Sequence, residues 1–202
     1  MNMMKKLLLL ALTGCLALGL TACGEKEQQA EVEAQVVEGD VNVVIDVKDY
    51  GEIALTLDSE AAPITVGNFV TLAKDGFYDG LTFHRIIDGF MIQGGDPDGN
   101  GTGGSETTIK GEFAGNGWEN PISHVRGTIS MARAMDPDSA SSQFFIVHED
   151  STFLDGDYAA FGAVTSGMEV VDAICEAVEP VDGNGTVLPE DQPIINSIRV
   201  EE

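Results

Sequence analysis

Several residue types are scarce in this chain of 202 residues, and each shortage argues against a class of function. Only 10 lysines and arginines accompany 34 aspartates and glutamates, which gives a formal net charge of -24. Because a phosphate backbone is bound by Lys and Arg, this composition argues against a nucleic-acid partner. The acidity instead predicts a soluble, self-repelling surface.

Motifs for metal-dependent or nucleophilic catalysis are also missing. The three histidines, His84, His124 and His148, lie far apart, and no Cys/His group has the spacing of a zinc site. No G-x-S-x-G turn presents a nucleophilic serine. We therefore expect no metal and no cofactor, and hydrolysis has no support in the sequence.

The N-terminus has the pattern of an export signal over residues 1–22. Two lysines precede an apolar run from 7 to 22, which is shorter than the roughly 20 residues that span a bilayer. Cys15 and Cys23 each end a Leu-x-small-Cys box, which resembles a bacterial lipoprotein signal. Cleavage before Cys15 would leave an apolar segment on the mature protein, so we expect Cys23 to carry the lipid. An ordinary secretory peptide or a membrane anchor is the alternative.

Composition divides the rest of the chain into an acidic linker, 23–40, and a domain, 41–202. The linker has many acids and no aromatic residue, which is typical of solvated chain. Once the leader is removed and Cys23 is lipidated, Cys175 is the only thiol left, so no intrachain disulfide can form. We expect an extracytoplasmic domain, tethered by lipid to the bacterial cell membrane.

Apolar periodicity predicts a mainly β domain. A hairpin is expected over 41–57, and further short strands at 81–87, 90–93, 127–132, 143–147, 159–164 and 194–200. Two helices are expected, one opening at Pro63 and one at Met168. Many short strands with only two helices favour an antiparallel barrel or sandwich over alternating βαβ units.

The glycine-rich segment 96–117 is expected to be irregular. Residues 99–104, GNGTGG, satisfy G-x-G-x-x-G, but no helix follows, which argues against a dinucleotide site. Residues 96–101 imitate the start of a calcium loop, yet Thr107 stands where the bidentate Glu is needed. A calcium-dependent surface protein is therefore an alternative function, but the sequence lacks the glutamate that would be the main calcium ligand.

The stretch 81–96, LTFHRIIDGFMIQGGD, places an arginine inside an apolar run. Arg85 keeps its charge at any accessible pH, so among apolar neighbours it must have partners or a task. Aromatic and amide residues recur downstream at 143–145 and 153–158. Without further information, these would be interpreted as core residues.

Four motifs together resemble the cyclophilin-type peptidyl-prolyl cis-trans isomerases: FHRIIDGFMIQGGD, NGTGG, SQFFI and FLDGDYAAFG. The similarity extends from about residue 41 to 200, and RGTISMARAMDPDSASSQFFI is similar to the bacterial branch. The resemblance implies a closed eight-stranded antiparallel barrel capped by two α-helices, acting as a monomer on proline-containing polypeptides. It implies acceleration of protein folding without a cofactor, and together with the leader it predicts that the substrates are extracytoplasmic proteins.

The resemblance also implies roles for individual residues. The catalytic group comprises Arg85, Phe90 and Gln93. The substrate-binding group comprises Met91, Gly101, Ala132, Arg133, Gln143, Phe145, Phe153, Leu154 and Tyr158. Phe153 stands where cyclosporin-sensitive members carry Trp, Tyr158 where many carry His, and Arg133 where an Asn is common outside bacteria. A non-enzymatic chaperone or surface module that only binds peptide in the same groove is the alternative function.

Overall fold

The computed structural model describes residues 39–201, which belong to one compact unit. The predicted leader, Cys23 and the linker up to residue 38 lie outside the described residues. Within 39–201 the strands are β1 (Val41–Val47), β2 (Gly51–Leu57), β3 (Phe83–Ile87), β4 (Met91–Gly94), β5 (Thr128–Met131), β6 (Phe144–Val147), β7 (Ala160–Ser166) and β8 (Ile195–Val200). The helices are α1 (Pro63–Lys74) and α2 (Met168–Ala177), and within the described range neither is long and apolar enough to cross a membrane.

The strands and helices predicted from apolar periodicity are all present, with ends displaced by one or two residues. The β1–β2 turn lies at 48–50, where Asp49 has a φ of 66°, so that Gly51 already belongs to β2. Segment 96–117 is irregular, as predicted, apart from a 3-10 turn at Ala114–Asn116 and an isolated bridge between Ile109 and Ala140.

One antiparallel sheet contains all eight strands, in the order β3-β4-β6-β5-β7-β2-β1-β8. Its pairing register shifts at four places, between Asp46 and Val47, Ala54 and Leu55, Phe83 and Arg85, and Ile129 and Ser130. Such bulges increase local twist and bend a strand. The sheet therefore curls around its core, with the two helices packed against it.

The prediction of a closed barrel is wrong, because the ladder does not close between β3 and β8. The two ends of the sheet meet at an isolated bridge between Thr82 and Ile194, where the Ile195 N–H donates to the Leu81 carbonyl at 2.7 Å, and no continuous ladder joins β3 to β8 in the described residues. Beyond that bridge, residues 182–187, which we call the edge segment, run beside β3. The Ile86 N–H donates to the Gly185 carbonyl at 2.8 Å. The edge segment thus occupies the place that β8 would need in order to complete a cylinder.

Strand alternation divides the apolar residues between two clusters. The inner face of the sheet holds the main core, where aromatic rings pack with α1 residues; its rings are Phe69, Tyr78, Phe83, Phe144 and Phe161. Side chains of successive strand residues point to opposite faces. Phe144 therefore joins the main core, whereas Phe145 joins a smaller outer cluster with Met91, Val147 and Leu154.

Helix α1 begins without a side-chain cap of its own, because its N-cap residue is Ala62. The carboxylate of Glu112, which is fully buried, supplies the missing acceptor from the irregular segment. It accepts the N–H of Ile64 at 3.0 Å and the N–H and hydroxyl of Thr65 at 2.8 and 2.7 Å. A negative charge at a helix N-terminus is favoured by the helix dipole. Glu112 thus joins α1 to the loop that follows β4.

Candidate active site

Three neighbouring strands place the predicted site residues on the outer face of the sheet. Arg85 on β3 pairs in register with Gln93 on β4, and Gln93 pairs with Phe145 on β6. Directly paired residues point to the same face of a sheet. The pleat therefore brings a cation, an amide and an aromatic ring side by side, although they are distant in sequence.

A chain of hydrogen bonds fixes the polar part of this site. Arg85 donates from Nε to the Asn184 carbonyl at 2.7 Å and from Nη1 to Gln93 Oε1 at 3.1 Å. Gln93 Nε2 donates to Gln143 Oε1 at 2.9 Å, and Gln143 Nε2 donates to the Gly103 carbonyl at 2.8 Å. Each amide is oriented by the next. The Arg85 guanidinium, at the first position of this series of hydrogen bonds, is consequently held in one place.

Arg85 keeps donors available in this arrangement. Within the part of the chain that the structure describes, its bonds use Nε and Nη1, and none uses Nη2. Burial lowers the pKa of Arg85, while Tyr158 and Asp182 act in the opposite direction. The ordinary pKa of an arginine lies so far above neutral pH that the side chain remains a cation. The site thus offers a fixed, permanently charged hydrogen-bond donor.

An apolar pocket adjoins the guanidinium. Met91, Phe145 and Leu154 form its buried floor; Phe90, Ala132 and Tyr158 are partly buried around it. The Phe145 and Tyr158 rings meet edge to face at 5.9 Å. Phe153 is 71% exposed and lies against Phe90, with ring centroids 5.6 Å apart, so it belongs to the rim.

A groove of about 330 Å³ continues from the pocket on the far side of the two glutamines. Its lining includes Gly101, Ala132 and Arg133, so the remaining predicted residues also lie at this surface. The Arg133 side chain is itself occupied. Its guanidinium lies between the rings of Phe113 and Tyr158, 5.0 and 4.9 Å from their centroids. Position 133 therefore offers mainly backbone to the groove.

The Gly101 side of the groove is held by Asp96, a buried residue at the first position of the calcium-like sequence. Its carboxylate accepts the backbone N–H groups of Asp98, Asn100 and Gly101. Burial alone would raise the pKa of Asp96, but these hydrogen bonds hold it below the ordinary value. The segment 96–101 is thus a loop in which the Asp96 carboxylate accepts hydrogen bonds from backbone N–H groups of the loop itself.

His124 supports the pocket from beneath, and the sequence alone gave it no role. The fully buried imidazole stacks on Phe145 at 6.0 Å. Its Nδ1 is 2.8 Å from Asp155 Oδ1, and its Nε2 is 2.9 Å from Ser130 Oγ. Because sequence spacing shows neither the stacking nor the pairing, only the folded chain identifies this residue.

We expect the stability of the fold to decrease as the pH falls below about 6.5, the ordinary histidine value. Burial lowers the pKa of His124, although Asp155 opposes this effect. The unfolded chain therefore binds the proton first as the pH falls, which favours unfolding. Burial also lowers the pKa of His84, so that its contribution has the same sign.

Urea unfolding at about pH 7.5 and 5.5 tests this expectation, because those values bracket the ordinary histidine pKa. The wild type should lose more stability between the two pH values than His124→Gln, which keeps a polar side chain that does not titrate. Equal losses in the two proteins would contradict the assignment to His124.

The curled eight-stranded sheet with two helices, carrying this groove on its outer face, is the cyclophilin fold. The chain belongs to the family of cyclophilin type peptidyl-prolyl cis-trans isomerases, whose sequence model matches residues 42–200. As a member of that enzyme family, it is a peptidyl-prolyl cis-trans isomerase.

Named relatives are similar over most of the domain. Peptidyl-prolyl cis-trans isomerase B of Bacillus subtilis is 54% identical over 122 residues, which cover 60% of this chain and 82% of the relative. A peptidyl-prolyl cis-trans isomerase of Helicobacter pylori is 52% identical over 126 residues, covering 61% and 74%. A cyclophilin type isomerase of Cryptosporidium parvum, crystallised in the presence of the dipeptide Ala-Pro, superposes with a TM-score of 0.70 at 31% identity. That match covers 80% of this chain and 99% of the other.

Proposed function

We propose that Arg85 catalyses isomerisation by donating a hydrogen bond to the prolyl nitrogen in a twisted-amide transition state. One observation carries the proposal. The guanidinium is bound on one side by the Asn184 carbonyl and Gln93 Oε1, and it lies beside the apolar pocket, with Nη1 3.6 Å from Met91 Sδ. A donor in a fixed position costs little reorganisation at the moment of reaction.

The reaction suits a donor of this kind. Amide resonance gives the peptide bond a rotational barrier of about 18–20 kcal/mol, and uncatalysed X–Pro exchange takes tens to hundreds of seconds. When the bond is twisted, the lone pair returns to nitrogen and can accept a hydrogen bond that the planar amide cannot. An interaction made only in the transition state raises the rate. Lowering the barrier by about 7 kcal/mol would accelerate exchange by roughly five powers of ten.

The remaining site residues hold the substrate in this mechanism. Phe90, Met91, Phe145 and Leu154 grip the proline ring, with Phe153 and Tyr158 at the rim. Gln93 and Gln143 bind the substrate backbone, while Gly101, Ala132 and Arg133 line the groove for the residues before proline. Because the ring side of the bond is immobilised, rotation takes place on the carbonyl side. The Cryptosporidium relative crystallised with Ala-Pro supports a proline-containing substrate.

We expect the exchange rate to be independent of pH between about 7 and 9, because no proton is transferred in this mechanism. The measurement is NMR exchange spectroscopy on a short Ala-Pro peptide at a catalytic enzyme concentration, in H₂O and in D₂O. The rate constant should be flat with pH and nearly equal in the two solvents. A bell-shaped profile or a large solvent isotope effect would indicate acid-base catalysis and would overturn the proposed mechanism.

The proposed site of action is extracytoplasmic, with the enzyme anchored through a lipid on Cys23. Support comes from the leader sequence, its Leu-x-small-Cys box and the acidic linker. The substrates would then be exported polypeptides that fold near the membrane surface.

Labelling bacterial cells with a fatty-acid analogue tests the anchor. Label should enter the wild type and the matched control Cys15→Ala, and should be lost in Cys23→Ala. Undiminished labelling of Cys23→Ala would refute this choice of cysteine.

A further inference from the structure

A group of three different metal-ligand types lies away from the groove, where the β3–β4 turn meets α2. Asp88 is in that turn, His148 directly follows β6, and Cys175 is on α2. A carboxylate oxygen, an imidazole nitrogen and a sulfur of these residues all lie within 4.8 Å of one another. Oxygen, nitrogen and sulfur ligands of these kinds are the ones that zinc uses in proteins.

The imidazole of His148 is held as a metal-binding histidine usually is. Its Nε2 is 3.0 Å from Asp172 Oδ1, and both oxygens of Asp172 accept hydrogen bonds from Arg126 Nη2 at 2.8 Å. Arg126 also donates to the His148 carbonyl at 2.8 Å. A carboxylate that accepts one ring N–H fixes the tautomer and leaves the other nitrogen free to bind a metal. Here the acceptor nitrogen is Nδ1, whose lone pair takes a backbone N–H from the β3–β4 turn.

The surroundings of Nδ1 favour a cation. Asp88 Oδ1 is 3.4 Å from Nδ1, so a carboxylate and a nitrogen lone pair face each other. The Gly89 N–H is the present donor to Nδ1, at 3.0 Å, and it belongs to the same exposed turn. The carboxylates of Asp88 and Asp172 lie 3.4 and 3.0 Å from the two ring nitrogens of His148. The same two negative charges would attract a divalent ion.

We propose that Asp88, His148 and Cys175 form a zinc site, with Asp172 and Arg126 orienting the histidine. Zinc binds Asp88 through a carboxylate oxygen, His148 through Nδ1 and Cys175 through the thiolate, and water takes the fourth position. The thiol proton is released to solvent on binding. The Asp88–Gly89 turn shifts, so that the metal replaces the Gly89 N–H at Nδ1. The bound ion joins the β3–β4 turn to α2.

Cobalt and zinc alone serve as the probes, with the full chain carrying Cys15→Ser and Cys23→Ser so that Cys175 is its only thiol. Added Co²⁺ should produce the near-ultraviolet charge-transfer band of a cobalt–thiolate bond, and Zn²⁺ should abolish it by displacement. The band should persist in the control Asp79→Asn, which removes a carboxylate from another exposed turn that precedes a glycine. It should be absent in Cys175→Ala.

Affinity and stability give independent measures. By competition with a chromophoric chelator, zinc should bind roughly tenfold to a hundredfold more weakly to Asp172→Asn, because the carboxylate that orients His148 is lost. At a hundredfold excess over its dissociation constant, zinc should raise the Tm by about 5 to 10 °C. Asp88→Asn should lose most of this shift, and its side chain is too exposed for the change to unfold the protein. No cobalt band in the parent, or unchanged zinc affinity in Cys175→Ala, would overturn the proposal.

Discussion

Replacing Arg85 with alanine is expected to lower kcat/KM for X–Pro isomerisation by about 10²- to 10³-fold, the cost of removing one preorganised donor to a transition state. The loss should fall mainly on kcat, because the bond to the prolyl nitrogen forms only when the amide is twisted. Arg85→Lys should recover little of the rate. A lysine keeps the charge but cannot keep the planar fork that binds the Asn184 carbonyl and Gln93 together.

NMR exchange on an Ala-Pro peptide measures this effect, and Arg199→Ala is the matched control. Arg199 is an exposed arginine on β8 that pairs with Glu52, so its removal changes the net charge equally without touching the groove. The control should retain the wild-type rate. An Arg85→Ala protein that is folded and isomerises as fast as the control would exclude Arg85 as the catalytic donor.

The second large effect is expected on stability, at Glu112. Glu112→Ala should lower the free energy of unfolding by about 3–5 kcal/mol, because a buried carboxylate is lost and its donors on Ile64 and Thr65 are left without a partner. Pro63 has no N–H of its own, so Glu112 serves the N–H groups that remain in the first turn of α1. Glu112→Gln keeps an acceptor and should therefore lose less unfolding free energy than Glu112→Ala.

Urea unfolding of purified protein provides this measurement, with Glu119→Ala as the matched control. Glu119 is an exposed glutamate two residues beyond the irregular segment, and its loss should change stability by less than about 0.5 kcal/mol. Similar losses for the two variants would show that the bonds from Glu112 to α1 contribute little.

The sequence predicts the strands and helices because their apolar periodicity is local. The resemblance also predicts residues that lie together in the candidate site, since Arg85, Gln93 and Phe145 are carried by motifs whose order is that of a known family. The outer-face pairing of Gln93 with Phe145 follows from strand register, which a single sequence does not display.

Other features could not be predicted, because each depends on residues brought together only by folding. Glu112 caps a helix that begins 49 positions earlier in the chain, at Pro63. The only sign of this cap in the sequence is the alanine at the N-cap position. Because alanine has no side-chain acceptor, the first turn of the helix needs one from elsewhere. In the sequence, Asp96 has the position of a calcium ligand. In the structure, its oxygens accept hydrogen bonds from backbone amides. The edge segment has no strand pattern, so nothing indicated that it would prevent closure of the sheet.

The edge segment has a consequence for the proposed function, in which the substrates are chains that are still folding. An open sheet leaves unpaired N–H and C=O groups along its last strand, and such an edge recruits other extended chains into aggregates. On β3, the Ile86 N–H and the His84 carbonyl are already bonded to Gly185 and Val187. If the proposed function holds, a substrate chain cannot extend β3 at these two groups and binds in the groove instead. Its release then does not require the breaking of a newly formed ladder.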